Sequence, residues 1–285
     1  MTVAGRPRPT WGLQEGDELA PGRFVLRRIG AGRRCETLLV WDEHRLAVLV
    51  AKVLRPDQAR VPAARADLEH EAALLARLAH PVVVRGFGAA PDERFPHLVL
   101  EHLEGPTLAE LISEHGALAL EQLLPLGLHV ASALHYLAAE GVLHLDVKPS
   151  NVVMGAPPRL IDLSVARTLA EAAGVRRPLG TDAYMAPEQC RPDGGIGPPA
   201  DVFGLAATLH HAVAGEPPFA PDGERFPQLR AAPRALPRRT PPQLVSILRA
   251  GLDPEPGARP AAAELASGLE PLVSALPRRM TLGRR

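Results

Sequence analysis

The chain has 285 residues, of which 46% are hydrophobic, and its formal net charge at pH 7 is zero. This is enough apolar material for one large domain or two packed lobes, and the balanced charge argues against a nucleic acid or an anionic membrane as partner. No secretory signal opens the chain, no run approaches the roughly 18–20 apolar residues of a spanning helix, and two distant cysteines make no disulfide framework, so we expect a cytoplasmic protein.

The predicted elements begin with a β-rich part. Residues 1–22 are rich in Pro and Gly and are predicted to be a flexible leader. The runs FVLRRI, TLLVW and AVLVAKVL then predict a small antiparallel sheet, because short β-type segments alternate with polar turns. Apolar residues at spacings of three and four predict a helix over residues 63–78. The runs VVVRGFG and PHLVLEHL read as two further strands.

A mostly helical part follows Gly105. An apolar stripe from Leu120 to Leu134 predicts a helix, in which Pro125 is expected to kink the first turns. The runs GVLHL, NVVM and RLIDL read as short strands, and residues 200–276 read as several helices. The fold class is therefore α+β, with a small β-rich N-lobe, a larger helical C-lobe and a basic tail. The predicted bounds are 23–103, 104–276 and 277–285 respectively.

Three rare residues are informative because the composition is so biased. The chain has two lysines, Lys52 and Lys148, and one asparagine, Asn151, whereas the other 30 basic residues (32 − 2) are arginine. This bias is typical of a GC-rich genome, in which Arg replaces Lys wherever chemistry allows. A retained ammonium or amide indicates a site that rejects the guanidinium fork or needs a neutral carbonyl oxygen. The alternative is chance survival.

Two charged residues interrupt apolar patterns. Lys52 lies inside the strand run LVAKVL, and Glu71 falls one residue from the apolar stripe of its helix. A charge in such a place is costly unless it is paired, so the two misfits of opposite sign predict an ion pair between sheet and helix. The alternative is that Lys52 lies on an edge strand and extends its amine to solvent.

The segment HLDVKPSNVVMGAPPRLID, residues 144–162, supplies the groups that phosphoryl transfer needs. One carboxylate, Asp146, can orient an attacking hydroxyl and accept its proton. The ammonium of Lys148 can balance charge on the transferred group. Asn151 and Asp162 offer the amide and carboxylate oxygens that Mg²⁺ prefers. The segment therefore predicts a phosphotransferase.

With these residues in place, residues 23–275 resemble the eukaryotic-type (Hanks-type) Ser/Thr protein kinase family, and its bacterial branch most. IGAGRRCET resembles the glycine-rich loop, HLDVKPSN the catalytic loop, DLS the metal-binding motif, and GTDAYMAPE the end of the activation segment. The resemblance implies a two-lobed protein-kinase-like fold and ATP-dependent phosphorylation of Ser or Thr in proteins. The implied cofactors are ATP and Mg²⁺, with Mn²⁺ as an alternative metal.

The resemblance also implies residue roles. Lys148 and Thr181 are typical of Ser/Thr kinases, and Thr181 is expected to bond to the catalytic Asp and Lys. The backbone from Glu101 to Leu103 is expected to bind adenine beside the gatekeeper Leu100. The implied set is catalytic Asp146, Lys148 and Thr181; ATP-binding Gly30, Ala31, Gly32, Lys52, Glu71, Glu101 and Leu103; metal-binding Asn151 and Asp162; and structural Glu188, Asp201 and Arg259.

Three of the departures from the family pattern bear on phosphate cover and regulation. Cys35 replaces the third glycine of the loop, which predicts weaker phosphate cover, and Ser164 replaces the glycine of DFG, which predicts a less flexible segment. Leu145 replaces the Arg that receives the phosphate of a phosphorylated activation loop. Because few hydroxyls follow, namely Ser164 and Thr168, we expect activity that does not depend on phosphorylation of that segment.

Two other readings stay open. A pseudokinase, acting as an ATP-binding or scaffolding module, would explain the altered glycine loop and DLS. A small-molecule phosphotransferase would share the base and metal ligands but lack the segment from Tyr184 to Glu188 and its partner Arg259. His210 and His211 are read as ordinary helix residues, and Thr281 in RRMTL is a hypothetical autophosphorylation site.

Partner predictions are limited. We expect an unidentified protein substrate, no nucleic acid and no membrane. Because the chain ends soon after its last predicted helix, we expect activating input from a regulatory partner, a ligand or the expression level.

Overall fold

The computed structural model describes residues 8–192, 194–220 and 224–277. The chain divides into two compact units: unit 1 is Met1–Ala79 with Val84–Leu103, and unit 2 is His80–Val83 with Glu104–Arg285. The first part of the predicted leader, nearly all of the predicted basic tail and the hypothetical phosphosite Thr281 lie outside the described residues.

Unit 1 is built on an antiparallel sheet of six strands in the order β1-β2-β3-β4-β6-β5. Alternate residues of the central strands face one apolar core that includes Leu38, Val40, Leu49, Ala51 and Val53, as the period of two along a strand requires. The strands are β1 (Glu18–Ala20), β2 (Arg23–Ala31), β3 (Cys35–Asp42), β4 (Ala47–Leu54), β5 (Gly86–Ala90) and β6 (His97–Glu101).

One helix, α1 (Pro62–Arg77), belongs to the same unit. Pro62 at its first position is suited to a helix start, since its fixed φ is helical and its missing N–H has no partner there. The buried residues Ala64, Leu68, Glu71 and Leu75 recur every three or four positions, so Glu71 is carried on the buried face.

The prediction that residues 1–22 form a flexible leader is wrong for the part that the structure describes. β1 pairs with β2, and the Trp11 indole N–H donates to the carbonyl oxygen of Leu54 at 2.7 Å. The Trp11 ring also packs edge-on against Phe95, with centroids 5.0 Å apart. A single indole brings a large apolar area and one donor to the sheet, which a Pro- and Gly-rich composition does not reveal.

Unit 2 is mostly helical. Its central helix, Pro198–Ala214, is buried along nearly its whole length. Gly127 lies in the adjacent helix, Leu120–Ala139, and allows close packing, because a Cβ there would lie 2.9 Å from Leu269 and 3.1 Å from Leu209. The helices are α2 (Leu108–His115), α3 (Leu120–Ala139), α4 (Leu169–Ala172), the central α5 (Pro198–Ala214), α6 (Pro242–Gly251) and α7 (Ala262–Ser274).

Short strands carry the loops of unit 2 that matter for function. β7 pairs with β10, and β8 pairs with β9, both antiparallel. They are β7 (Val142–Leu143), β8 (Val152–Val153), β9 (Arg159–Leu160) and β10 (Arg167–Thr168).

One local prediction differs from the structure: VVVRGFG yields a strand only from Gly86 onward. Helix α3 includes Pro125 in its first turns, and the kink expected there stays a prediction. None of the helices in the described ranges has the length and apolar character that membrane crossing requires.

Candidate active site

The predicted ion pair of unit 1 is present. Lys52 in β4 points its ammonium at Glu71 in α1, with Nζ 3.0 Å from Oε1 and 2.8 Å from Oε2. Glu71 is buried, at 2% exposure, and Lys52 is half-buried. The pair compensates both misplaced charges, and the edge-strand alternative for Lys52 is excluded, because β4 lies between β3 and β6.

The glycine-rich loop and the predicted adenine-binding backbone lie at the ends of unit 1 strands. Gly30 and Ala31 are the last residues of β2, and Gly32 forms a tight turn in which its N–H donates to the carbonyl oxygen of Cys35 at 2.8 Å. A Cβ at Gly30 or Gly32 would make only ordinary contacts within the protein. Glu101 ends β6, and Leu103 is the last residue of unit 1.

In unit 2, Asp146, Lys148 and Thr181 form a hydrogen-bonded triangle. Lys148 Nζ lies 2.6 Å from Asp146 Oδ2 and donates to Thr181 Oγ1, also at 2.6 Å. The Thr181 hydroxyl in turn donates to Asp146 Oδ1 at 2.7 Å. Because every edge is a charge-assisted bond, the rotamers of all three side chains are fixed relative to one another.

Asn151 holds the same carboxylate from the other side. Its Nδ2 donates to Asp146 Oδ2 at 3.1 Å and to the Asp146 carbonyl oxygen at 2.9 Å. The amide nitrogen is therefore committed to Asp146, so the amide oxygen is the atom directed elsewhere. The backbone carbonyl oxygen of Asn151 accepts the N–H of Ile161 at 2.9 Å. Because β8 and β9 pair, Asn151 and Asp162 lie at the same end of this two-stranded sheet.

This donor set fits Mg²⁺. One carboxylate and one amide oxygen suffice when nucleotide phosphates and water supply the other ligands, as Mg²⁺ commonly requires. Within the described ranges no cluster of three or more His, Cys, Asp and Glu side chains offers a complete metal cage.

Asp162 has φ of +68°, whereas Ser164 is outside the left-handed region, so this conformation does not require glycine at position 164.

The buried carboxylate of Asp201 holds the backbone at the start of the segment HLDVKPSN. Asp201 in α5 accepts the backbone N–H of His144 at 2.8 Å and that of Leu145 at 2.7 Å. Burial raises the pKa of the Asp201 carboxyl, and these two donors oppose the rise. Leu145 has φ of +63°, a strained value for a branched side chain, and the Asp201 bonds help to hold it there.

A buried ion pair between Glu188 and Arg259 fixes the end of the segment that follows Thr181. The Arg259 side chain is fully buried and forms a two-pronged ion pair with Glu188, with N–O distances of 2.7 and 2.9 Å. Its remaining N–H groups donate to the carbonyl oxygens of Asp253, Pro199 and Pro254. All five guanidinium N–H groups are therefore satisfied.

Several side chains that hold the site in place were not predicted from the sequence to do so. His144 is buried; its Nδ1 accepts the Asp146 N–H at 3.3 Å, and its Nε2 donates to the Ile161 carbonyl oxygen at 3.2 Å. Gln189 bonds three backbone groups, and Tyr184 bonds to His211. No periodicity marks these residues, although His144 and Gln189 adjoin motifs that the sequence identifies and Tyr184 is one of only two tyrosines.

Comparison with known proteins agrees with this geometry. Residues 24–268 match the family model described as "Protein kinase domain", so the chain belongs to the protein kinase domain family. It is 33% identical over 267 residues to the probable serine/threonine-protein kinase PkwA of Thermomonospora curvata, covering 90% of this chain and 35% of the relative. It is 30% identical over 203 residues to the serine/threonine-protein kinase PknB of Mycobacterium leprae, covering 68% and 32% respectively.

The chain thus spans about a third of the length of the curated relatives it matches. The α+β, two-lobed kinase fold that the motifs implied is confirmed by the family match and by the β-sheet unit and helical unit described above.

Proposed function

We propose that this chain is an ATP-dependent protein kinase that transfers the γ-phosphate to Ser or Thr hydroxyls of proteins. The observation that carries the proposal is the triangle of Asp146, Lys148 and Thr181. A carboxylate held by an ammonium and a hydroxyl is the arrangement needed to position an acceptor hydroxyl for in-line attack. The names of the bacterial relatives support the Ser/Thr class.

Each group in unit 2 then has a task. Asp146 orients the acceptor hydroxyl and takes its proton as the oxygen–phosphorus bond forms and the bond to ADP breaks. Lys148 offsets negative charge that develops on the transferred group, and Thr181 keeps both side chains in place. Asn151 and Asp162 would hold Mg²⁺ or Mn²⁺, which supplies charge neutralisation to the phosphates.

Unit 1 is assigned to the nucleotide. We assign Lys52, positioned by Glu71, to the α- and β-phosphates, and the backbone of Gly30 to Gly32 to phosphate cover. The backbone from Glu101 to Leu103 is assigned to adenine. These roles rest on the family's motif positions together with the Lys52–Glu71 contact.

The test is transfer of labelled γ-phosphate to the chain itself and to one basic and one acidic acceptor protein, with Mg²⁺ and with Mn²⁺. Label on Ser or Thr that is lost in Asp146→Asn and Lys52→Met supports the proposal. Asp92→Asn, a surface substitution whose side chain is 95% exposed, is the matched control and should retain transfer. A folded protein that binds ATP without any transfer would instead support the pseudokinase alternative.

A cytoplasmic location and a regulatory partner stay predictions. Fractionation of cells that express the full-length gene product tests the first, and co-purification with the Asp146→Asn variant tests the second.

A further inference from the structure

A cavity of about 510 Å³ opens beside the catalytic triangle, wholly within unit 2. Lys148 and Thr181 line it, and both contact Asp146. A polypeptide that presents its hydroxyl to Asp146 must therefore bring a neighbouring side chain to this cavity. The remaining wall comes from α2, the catalytic loop, the segment after Thr181 and the end of α5: Ala109, Ile112, Ser113, Pro149, Ser150, Tyr184, His211 and Gly215.

The lining is neutral apart from Lys148, whose charge is already paired with Asp146. Among the lining residues, all of which lie in the described part of the chain, none is a carboxylate. The carboxylate of Asp182, which follows Thr181, forms a two-pronged pair with Arg225 at 2.7 and 2.8 Å. Glu216, whose charge acts on His211, is paired with Arg234.

Two of the lining residues, Tyr184 and His211, contact each other. Tyr184 Oη lies 2.6 Å from His211 Nδ1, and the two rings are stacked with centroids 6.1 Å apart. Burial raises the pKa of Tyr184 to about 12 and lowers the pKa of His211 below its ordinary value. Both groups are therefore neutral at pH 7.

We propose that this cavity is a specificity pocket for an uncharged, largely apolar side chain next to the acceptor Ser or Thr, and that a neutral residue at position 211 leaves an Arg or Lys side chain without a partner there. An incoming cation would meet no counter-charge and would approach Lys148, so it would be desolvated without compensation. The inference rests on the proposed kinase function and assigns that function a substrate class.

The experiment is a peptide library with a central Ser or Thr and randomised flanking positions. The wild-type chain should show a position at which neutral apolar residues are preferred over Arg or Lys by about fivefold or more in kcat/KM, the size of one partly exposed charge interaction. His211→Gln should keep this preference, whereas His211→Glu should shift it toward Arg at the same position, chiefly through KM.

The outcomes are distinguishable. A wild-type preference for Arg or Lys throughout, or a His211→Glu profile equal to that of wild type, overturns the pocket while leaving the kinase function intact. Absence of transfer to every peptide and protein would instead count against the proposed function.

A separate set of contacts concerns regulation. Leu145 is buried, at 2% exposure, in an apolar cluster that includes Ala172, Val165 and Leu179 from the activation segment, here residues 162–188. The segment passes close by: a Cβ at Gly180, which has φ of +128°, would lie 2.7 Å from the carbonyl oxygen of Leu145. A phosphate-binding Arg is therefore replaced by apolar packing.

Gln189 joins the two backbones directly. Its Nε2 donates to the carbonyl oxygens of Leu145 and Leu179, each at 2.9 Å, and its Oε1 accepts the Ala186 N–H at 2.9 Å. The side chain is buried, at 2% exposure. Thr168, one of the few hydroxyls of the segment, is occupied in a capping box with Glu171 at the start of α4.

We infer that Gln189 is a positioning residue and that Leu145 and Gln189 together hold the activation segment in place without phosphate. Protein produced with a phosphatase and shown by intact mass to carry no phosphate should phosphorylate a peptide at the same initial rate as protein preincubated with ATP. A rate that rises tenfold with phosphate on residues 162–188 would overturn the inference.

Amide hydrogen exchange tests the contact without relying on activity. Gln189→Leu should lower protection of residues 165–180 by about tenfold, as expected for buried backbone groups that lose their partner. It should also lower kcat with little change in KM for ATP. Gln243→Leu, at an exposed glutamine of α6, should change neither quantity. Unchanged protection in a folded Gln189→Leu protein would show that the amide does not hold the segment.

Discussion

The buried pair of Glu188 and Arg259 allows a quantitative prediction for unit 2. Replacing Glu188 with Leu leaves the guanidinium, which is fully buried, without a counter-charge. Removing one partner of a buried ion pair costs about 3–5 kcal/mol. For a domain of this size that corresponds to a fall of roughly 6–20 °C in Tm. We expect Arg259→Leu to fall in the same range, because it leaves the Glu188 carboxylate buried alone.

The double variant separates charge from packing. Glu188→Leu with Arg259→Leu removes both charges, so it should recover much of the lost stability. Recovery should be incomplete, because the carbonyl oxygens of Asp253, Pro199 and Pro254 lose their donor, at about 1–3 kcal/mol for a buried unsatisfied group. The double-mutant cycle should therefore give a favourable coupling of about 2 kcal/mol or more.

The assay must report on the right unit. Both tryptophans, Trp11 and Trp41, lie in unit 1, so tryptophan fluorescence follows the wrong part of the chain. Circular dichroism at 222 nm follows mainly the helices of unit 2. Single variants that lose less than about 1 kcal/mol, or a double variant whose loss equals the sum of the singles, would refute the assignment of a desolvated, coupled pair.

The remaining predictions concern single side chains. Burial lowers the pKa of His97, which contacts Arg23, so the unfolded chain takes up a proton at higher pH than the folded chain does. The free energy of unfolding should therefore fall as pH drops below about 6.5. His97→Gln should reduce this dependence of the free energy of unfolding on pH, as measured by urea melts. Lys148→Arg should lower kcat by a factor on the order of 10² while Tm stays within about 2 °C, because the guanidinium cannot reproduce both short contacts of the ammonium, with Asp146 and with Thr181. Thr168→Ala should destabilise the start of α4 by about 1 kcal/mol through loss of its cap with Glu171, whereas Thr168→Asn should retain it, as amide exchange would show.

The sequence predicted those parts of the site in which chemistry restricts residue type. Lys52, Lys148 and Asn151 stood out because a biased composition had removed every other residue of their kinds. Lys52 and Glu71 also broke apolar patterns, and their ion pair followed from the cost of burying charge. The β-type runs predicted the strands around Lys52, but not their pairing or the register that places Ala51 and Val53 in the core.

What the sequence could not predict depends on contacts between distant neutral groups. Gln189 and His144 act through backbone carbonyl and N–H groups, which carry no residue-specific pattern. Trp11 lies in a stretch whose composition indicates a loop, and only its partner 43 residues away shows that it packs. The Tyr184–His211 contact likewise needs the end of α5 to be placed beside the activation segment.

The position of the two lysines has a practical consequence for covalent labelling. Each of the two lysines of this chain lies inside a carboxylate pair, Lys52 with Glu71 and Lys148 with Asp146, and both side chains are mostly shielded from solvent. The rest of the cationic surface is guanidinium, which acylating reagents modify poorly. An amine-directed acyl phosphate built on a nucleotide would therefore meet little competing surface reaction, and the ratio of the two modified peptides would report which of the two lysines the nucleotide reaches.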